Sequence, residues 1–181
     1  MVHPAITRLS ALLGEPSVPG DTVDWEDLAR TTGLRLPADY RDFVTLYGGG
    51  ELDEYLGVST PRVAGSPCGD LMDGLDFDPR EGPEAQTSTD PADLEKGRLL
   101  PFASSANGDV AFWLCDTRDP DRWDVVVFKR RHHSREEPWV RFAVGFGDFL
   151  TGALDGTLPN PFSDSGFARP PHAYRNWRQP L

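Results

Sequence analysis

The sequence predicts an α+β domain in which an antiparallel sheet of about four to six strands packs against N-terminal helices and one late helix. Apolar residues recur at helical spacing three times within residues 1–47. An Asn107-Gly108 pair, a strong hairpin signal, lies between two strand-like runs, and helical spacing returns over residues 145–156. Helices followed by an antiparallel meander are typical of the α+β class.

Three helices are predicted at the N-terminal end. The first is HPAITRLSALLG, whose isoleucine and leucines share one face and which ends at Gly14. The second is DWEDLARTTG, with Asp24 as its N-cap and Gly33 as its stop. The third lies in LPADYRDFVTLYGGG, with Pro37 at the first helical position and Gly48 at the cap.

The third helix carries the clearest pattern. Its predicted core stripe, at i, i+3, i+4 and i+7, is Tyr40, Phe43, Val44 and Tyr47. Three charged residues of the same helix are predicted to face water, namely Asp39, Arg41 and Asp42. A phosphate-binding loop would follow a strand and carry a lysine, so the three glycines at 48–50 are interpreted as a helix stop.

Strand patterns dominate the second half of the chain. A short strand is predicted in EYLGVST, and four more in LLPFASS, DVAFWLC, RWDVVVFKR and PWVRFAV. The late helix is FGDFLTGALDG, with Gly156 as its stop. We therefore predict one domain at 1–156 with a long acidic insertion at 66–96. The Pro- and Arg-rich tail at 157–181 either docks on this domain, as we expect, or binds a partner.

The charge is strongly negative and unevenly distributed. The net charge is -11, and residues 66–96 alone carry nine acids and two bases. Direct binding to nucleic acid needs clustered lysine and arginine, so it is not expected. A negative field of this kind either keeps a protein soluble or attracts basic partners. The sequence shows no signal peptide and no apolar run long enough for a membrane span, so a cytoplasmic protein without membrane contact is predicted.

Patterns that would indicate catalysis or a cofactor are weak. The aspartates of CGDLMDGLDFDP do not follow the spacing of a calcium loop, and His132 and His133 lack a third ligand pattern. No G-x-S-x-G elbow is present, and Ser104, Ser105 and Asp109 form no recognisable triad with a histidine. Cys115 lies in an apolar run and is interpreted as a core residue. We therefore predict no enzyme, no catalytic or metal site and no cofactor.

Several segments together resemble the SUKH superfamily, in the branch named for the yeast cell-wall assembly regulators Smi and Knr. The resemblance runs from Trp25 to Leu154. It depends on Leu36-Pro37 with the aromatic stripe of the third helix, on Tyr47-Gly48-Gly49, and on Leu100-Pro101-Phe102 followed by Gly108-Asp109. It implies a non-enzymatic α+β domain. Bacterial members are mostly immunity proteins that neutralise toxins, often nucleases or deaminases, whereas the eukaryotic branch acts in scaffolding and signalling.

The resemblance and the acidity together lead to a functional hypothesis. The chain is expected to be an immunity protein that blocks a basic cognate toxin by direct binding. The alternative is a cytoplasmic scaffold or regulatory domain with a partner that is not a toxin. The acids expected to contact the partner are Glu51, Asp53, Glu54, Asp70, Asp73, Asp76 and Asp78.

Overall fold

The computed structural model describes residues 1–67, 69–78, 99–131, 137–164 and 166–179. Its α-helices are α1 (Pro4–Leu13), α2 (Trp25–Thr32), α3 (Ala38–Tyr47) and α4 (Phe146–Asp155). Its strands are β1 (Gly50–Leu52), β2 (Leu56–Val58), β3 (Leu99–Ser105), β4 (Val110–Leu114), β5 (Asp124–Phe128), β6 (Trp139–Phe142) and β7 (Tyr174–Asn176). Within these ranges, two short 3-10 helices lie at Leu71–Asp76 and Pro120–Arg122. The predictions for the insertion beyond Asp78 and for His132–His133 fall outside the described residues.

The strands form one antiparallel sheet in the order β6-β5-β4-β3-β2-β1-β7. This confirms the α+β class, but the described residues contain seven strands where four to six were expected. The two unpredicted strands, β1 and β7, have three residues each and pair with one another. The predicted Asn107-Gly108 hairpin joins β3 to β4, with Gly108 at φ +85°.

The helices pack on one face of the sheet, here called the inner face, and this confirms the predicted stripe of α3. The four stripe residues are at most 1% exposed, and Tyr40 makes edge contacts with Trp113 of β4 and Phe146 of α4. A bulge in β3 between Pro101 and Ala103 turns both Phe102 and Ala103 into this core. Tight aromatic packing of this kind contributes most of the burial that holds helices on a sheet.

The predicted helix ends are close to those observed. Asp24 caps α2 by accepting a hydrogen bond from the Asp27 N–H, and Gly33 ends that helix in the left-handed conformation. Gly156 ends α4 in the same way. Pro37 is the residue before α3 rather than its first residue, a shift of one position.

Asp39 does not face water, which corrects the prediction for that residue. It is 7% exposed, and its carboxylate accepts hydrogen bonds from the Gly147 N–H of α4 and from the Tyr40 N–H. Burial raises the pKa of Asp39, although the two backbone donors oppose that change. The residue therefore satisfies the N-terminus of α4, which has no side-chain cap of its own.

The tail after α4 runs back across the molecule. Phe162 and Phe167 lie in the inner core with at most 4% exposure, and β7 extends the sheet beyond β1. His172 has its ring nitrogens 2.7 Å from Asp53 Oδ2 and 3.2 Å from the Leu154 carbonyl oxygen. Residues 157–179 therefore contribute both core side chains and one strand, while the division of the chain at residue 156 stays a prediction.

Candidate functional site

A groove opens on the outer face of the sheet, on the side away from the helices. It encloses about 440 Å³ above β7, β1, β2 and the end of β3, and we call it the outer groove. Its lining combines glycine and serine with one ion pair and one indole ring. The residues are Gly50, Glu51, Gly57, Val58, Ser59, Pro67, Gly69, Ser104, Arg175, Asn176, Trp177 and Gln179.

The floor of the outer groove is low because two small residues, Gly57 and Ser104, are register partners on neighbouring strands. Gly57 of β2 pairs in register with Glu51 on one side and Ser104 on the other. A Cβ atom added to Gly57 would meet only the Ser104 carbonyl oxygen, at 3.7 Å. Since side chains at register partners project to the same face, the space directly above Gly57 is open.

One wall of the outer groove carries an ion pair between neighbouring strands. Arg175 of β7 lies opposite Glu51 of β1, and its guanidinium Nη2 is 3.0 Å from Glu51 Oε2. Both side chains remain partly exposed, at 35% and 50%. Exposed pairs of this kind add little stability, so the pair mainly orients a carboxylate and a guanidinium toward the groove.

The side of the groove formed by residues 175–179, here called the tail wall, is attached to the domain through a buried carboxylate. Asp21, whose side chain is fully buried, accepts hydrogen bonds from the Gly49 N–H at 2.7 Å and from Trp177 Nε1 at 3.1 Å. The Arg178 guanidinium lies 2.6 Å from the same carboxylate. A buried charge is stable only when it is paired and hydrogen-bonded, and these three donors meet that need.

The glycine run at 48–50 has a second role that the sequence did not reveal. Gly48 ends α3 at φ +70°, as predicted, and a Cβ there would lie 2.5 Å from Asn176 Nδ2. A Cβ on Gly50 would overlap the Arg175 carbonyl oxygen. Asn176 also donates to the Tyr47 carbonyl oxygen at 2.6 Å. The glycines therefore allow the tail strand to approach the end of α3 closely.

The opposite wall leads into the acidic segment 69–78. Asp70 caps the 3-10 helix by accepting a hydrogen bond from the Met72 N–H, and it also accepts one from the Arg62 N–H. Gly74 packs against Pro101 of β3, and the Phe77 ring lies 4.9 Å from that of Phe112. The described part of the acidic insertion therefore packs beside β3, with Leu71 in the inner core and Phe77 against the apolar cluster of the outer face.

The seven predicted contact acids are distributed unequally. Glu51 lines the outer groove, and Asp73 and Asp76 are exposed on the neighbouring acidic segment. Asp70 has structural hydrogen bonds, and the side chain of Asp78 is partly buried with interactions of its own. Sequence position alone did not separate exposed acids from those that satisfy the backbone.

Asp53 and Glu54 belong to a second cleft of about 370 Å³ at the β1–β2 turn. Both residues have φ +53°. The Asp53 carboxylate contacts the His172 ring and accepts a hydrogen bond from the Ala173 N–H at 2.7 Å. Glu54 is exposed. Asp164 also lines this cleft, so Asp53 and Glu54 are brought together with another tail residue rather than with the outer groove.

Asp109, which was considered for catalysis, is completely buried and fully engaged. Its carboxylate accepts hydrogen bonds from the hydroxyls of Tyr55, Ser105 and Ser163, at 3.1, 3.0 and 2.5 Å. The backbone N–H groups of Ser163 and Arg130 also donate to it, at 2.8 and 3.0 Å. A carboxylate saturated in this way joins the β3–β4 hairpin to the tail and has no free position for a substrate.

Cys115 is partly buried after β4 and donates its thiol hydrogen to the Trp113 carbonyl oxygen. Burial raises the pKa of this thiol to about 12, and nearby Asp116 adds to the effect. The thiolate is therefore scarce at neutral pH, which agrees with the core interpretation. Among the described residues, no cluster of three His, Cys, Asp or Glu side chains is arranged to hold a metal.

Comparison with known proteins supports a family assignment. A sequence model of the SMI1 / KNR4 family (SUKH-1) matches residues 19–152, which is most of the chain. Comparison with curated proteins and with solved structures finds no significant match. Within the part of the chain that the structure describes, no helix is long and apolar enough to cross a membrane. The chain therefore belongs to the SMI1 / KNR4 family of the SUKH superfamily, whose domains are generally of a non-enzymatic immunity or regulator type and bind partner proteins.

Proposed function

We propose that this protein is an immunity protein that neutralises a cognate bacterial toxin by binding it with the outer face of its sheet. The observation that carries the proposal is the outer groove, which lies open beside exposed acids on a face that the helices leave free. Glu51 lines the groove, and Asp73 and Asp76 project from the segment next to it.

Charge supports a basic partner. The chain carries a net charge of -11, and the exposed Asp73 and Asp76 follow closely after Gly69, which lines the groove. Toxins that act on nucleic acid need positive surfaces to hold phosphate, so a nuclease or deaminase type of toxin presents complementary charge. A negative face of this kind speeds the encounter and favours the correct orientation.

Inhibition would follow from coverage of the toxin's positive surface. A stable interface buries about 800 Å² on each partner, so it must extend beyond the outer groove. The exposed Asp73 and Asp76, on the segment that follows Gly69 of the groove lining, provide further acidic area. A toxin held across this area could not admit a nucleic acid to the same surface.

The immunity proposal predicts that a toxin domain is encoded beside the gene of this protein, and the test uses that domain. Wild-type protein should restore growth when both are expressed together, and surface plasmon resonance should give a salt-dependent association rate. The double variant Asp73→Asn/Asp76→Asn should associate about five to tenfold more slowly at low salt, with a smaller salt slope. Asp70 and Asp78 are left intact because their interactions are partly structural.

The matched control removes two exposed acids from the helical side. The double variant Glu15→Gln/Glu26→Gln changes the net charge by the same amount, so it should keep a nearly wild-type association rate. Equal slowing by both double variants would show that only net charge matters and would contradict binding through the outer face. Absence of any binding to the adjacent toxin domain would favour the regulatory alternative.

A further inference from the structure

We propose that the outer groove receives an aromatic side chain of the partner above Gly57, with a neighbouring arginine or lysine of the same partner segment placed against Glu51. This inference rests on the proposed function, because it names the chemistry of the segment that the outer face binds. It adds a specific insertion point to a surface that otherwise attracts its partner through charge.

The shape of the groove favours insertion of a side chain. Its volume of about 440 Å³ lies within the range typical of sites that enclose a compact group. Gly57 at its floor has Glu51 and Ser104 as its register partners on the two neighbouring strands. A Cβ atom at Gly57 would meet only one backbone oxygen, so the space above it is open. A glycine floor lets an inserted ring reach the backbone of the sheet.

The lining favours a flat, largely apolar group. Pro67 and the Trp177 ring supply carbon surface, and Trp177 Nε1 already donates a hydrogen bond to Asp21. Ser59, Ser104 and Gln179 add neutral polar groups, and the charged groups of the lining are Glu51 and Arg175. Aromatic residues are the commonest anchors in pockets of this kind, because they bury much area at little cost in conformational freedom.

The ion pair on the wall favours a cationic neighbour. Of the two carboxylate oxygens of Glu51, the Arg175 guanidinium contacts Oε2, and the Glu51 side chain is half exposed. A carboxylate accepts several hydrogen bonds, so a second guanidinium or ammonium group can bind beside Arg175. Exposed Asp73 and Asp76 add to the negative field on this face.

The first experiment fills the groove. Gly57 lies in a strand without a positive φ, and a Cβ there would meet only the Ser104 carbonyl oxygen at 3.7 Å, so we expect Gly57→Leu to fold with its side chain in the groove. We expect Gly57→Leu to weaken toxin binding about tenfold or more, mainly through faster dissociation. The control variant Thr7→Leu places the same side chain on an exposed helical position and should bind like wild type.

The outcomes separate the two proposals. Urea unfolding must first show that Gly57→Leu is as stable as wild type. If Gly57→Leu then binds the toxin as tightly as wild type while Asp73→Asn/Asp76→Asn binds more slowly, the immunity proposal stands and the insertion is wrong. If wild type does not bind the adjacent toxin, the immunity proposal fails, and the second experiment decides the chemistry of the groove.

The second experiment needs no toxin. Benzamidine joins an aromatic ring to a cation, so millimolar benzamidine should shift the Gly57 amide and Trp177 indole NMR resonances in a saturable way. Benzoate, which has the same ring and the opposite charge, should not. The shifts should disappear in Gly57→Leu. Absence of saturable shifts, equal shifts with benzoate, or unchanged shifts in Gly57→Leu would overturn the inference.

Discussion

The two halves of the outer sheet face differ in how they are completed. Cross-strand register places seven residues in one row, and these are Arg175, Glu51, Gly57, Ser104, Val110, Phe128 and Trp139. At the β4–β6 end, Phe128 and Trp139 join a buried apolar cluster with Phe112. At the β7–β2 end the row is charged or small, and the outer groove stays open.

This contrast shows that one sheet can use two means of stabilisation. The apolar half is stabilised by burial, with Phe112 at 0% and Phe128 at 2% exposure. The groove half buries little on its outer side, so its tail wall depends on directed polar contacts from Asp21 and Asn176. Those contacts leave the floor free, which a binding surface requires.

The largest expected effect is a loss of stability in the apolar half of the outer face that has no counterpart in the groove half. Phe112→Ala removes a fully buried ring that contacts Phe77 and Trp139, so it should lower the free energy of unfolding by about 3–5 kcal/mol. Ser104→Ala, on the neighbouring strand and the same face, should change it by less than about 0.5 kcal/mol. Urea unfolding measures both, and similar losses would remove the distinction.

The next effect concerns the buried carboxylate of the groove half. Asp21→Ala leaves the Gly49 N–H, Trp177 Nε1 and the Arg178 guanidinium without their acceptor. We expect a loss of about 2–3 kcal/mol and a shifted Trp177 indole resonance. Glu15→Ala, which removes an exposed acid, should leave both readouts unchanged. A stable Asp21→Ala variant with the indole resonance in place would show that the tail wall has another attachment.

A smaller effect tests the close approach of the tail. Gly50→Ala forces a methyl group toward the Arg175 carbonyl oxygen, so β7 should move. The free energy of unfolding should therefore fall by about 1–3 kcal/mol. Gly57→Ala, on the adjacent strand, should be neutral or slightly stabilising. Amide hydrogen exchange of β1 and β7 gives the local readout, and equal protection in the two variants would contradict this role for Gly50.

The smallest expected effect is a pH dependence of stability that comes from Asp39 on the inner face, so it should not distinguish the two halves of the outer face. Burial raises the pKa of Asp39 above the ordinary value of 3.8, so the folded state holds that proton more tightly than the unfolded state. Its contribution to stability is therefore greatest at low pH and declines as pH rises through the raised pKa. The stability difference between wild type and Asp39→Asn should fall with rising pH in the acid range. Urea unfolding at several pH values checks this, and a difference that grows with pH would contradict it.

Local patterns predicted much of this fold, and distant contacts decided the rest. The α3 stripe and the Asn107-Gly108 hairpin depend on neighbouring residues, and both were confirmed. The burial of Asp39 depends on Gly147, which is 108 positions away, so helical periodicity placed it wrongly. Strand β7 has three residues in a proline-rich segment and gives no periodic signal.

The candidate site was predictable only in part. Glu51 was selected for its charge, and the structure places it on the groove wall. Gly57 and Trp177 were not selected, because their significance comes from strand register and from the return of the tail to β1. The interior partners of Asp53 and Asp70 likewise lie outside any local pattern, although an acid near a turn or before a 3-10 helix is a frequent backbone acceptor.

The pairing of β7 with β1 has a consequence for the order of folding. Residues of β7 leave the ribosome more than a hundred positions after those of β1, whereas β1 and β2 meet almost at once. The contacts of Asp21 with Trp177 and Arg178 close a still longer loop, so they form late and slowly. Nascent chains that already contain the helical core up to α4 therefore lack the tail wall, and competence to bind through the outer groove arises only after residues 174–179 have left the ribosome.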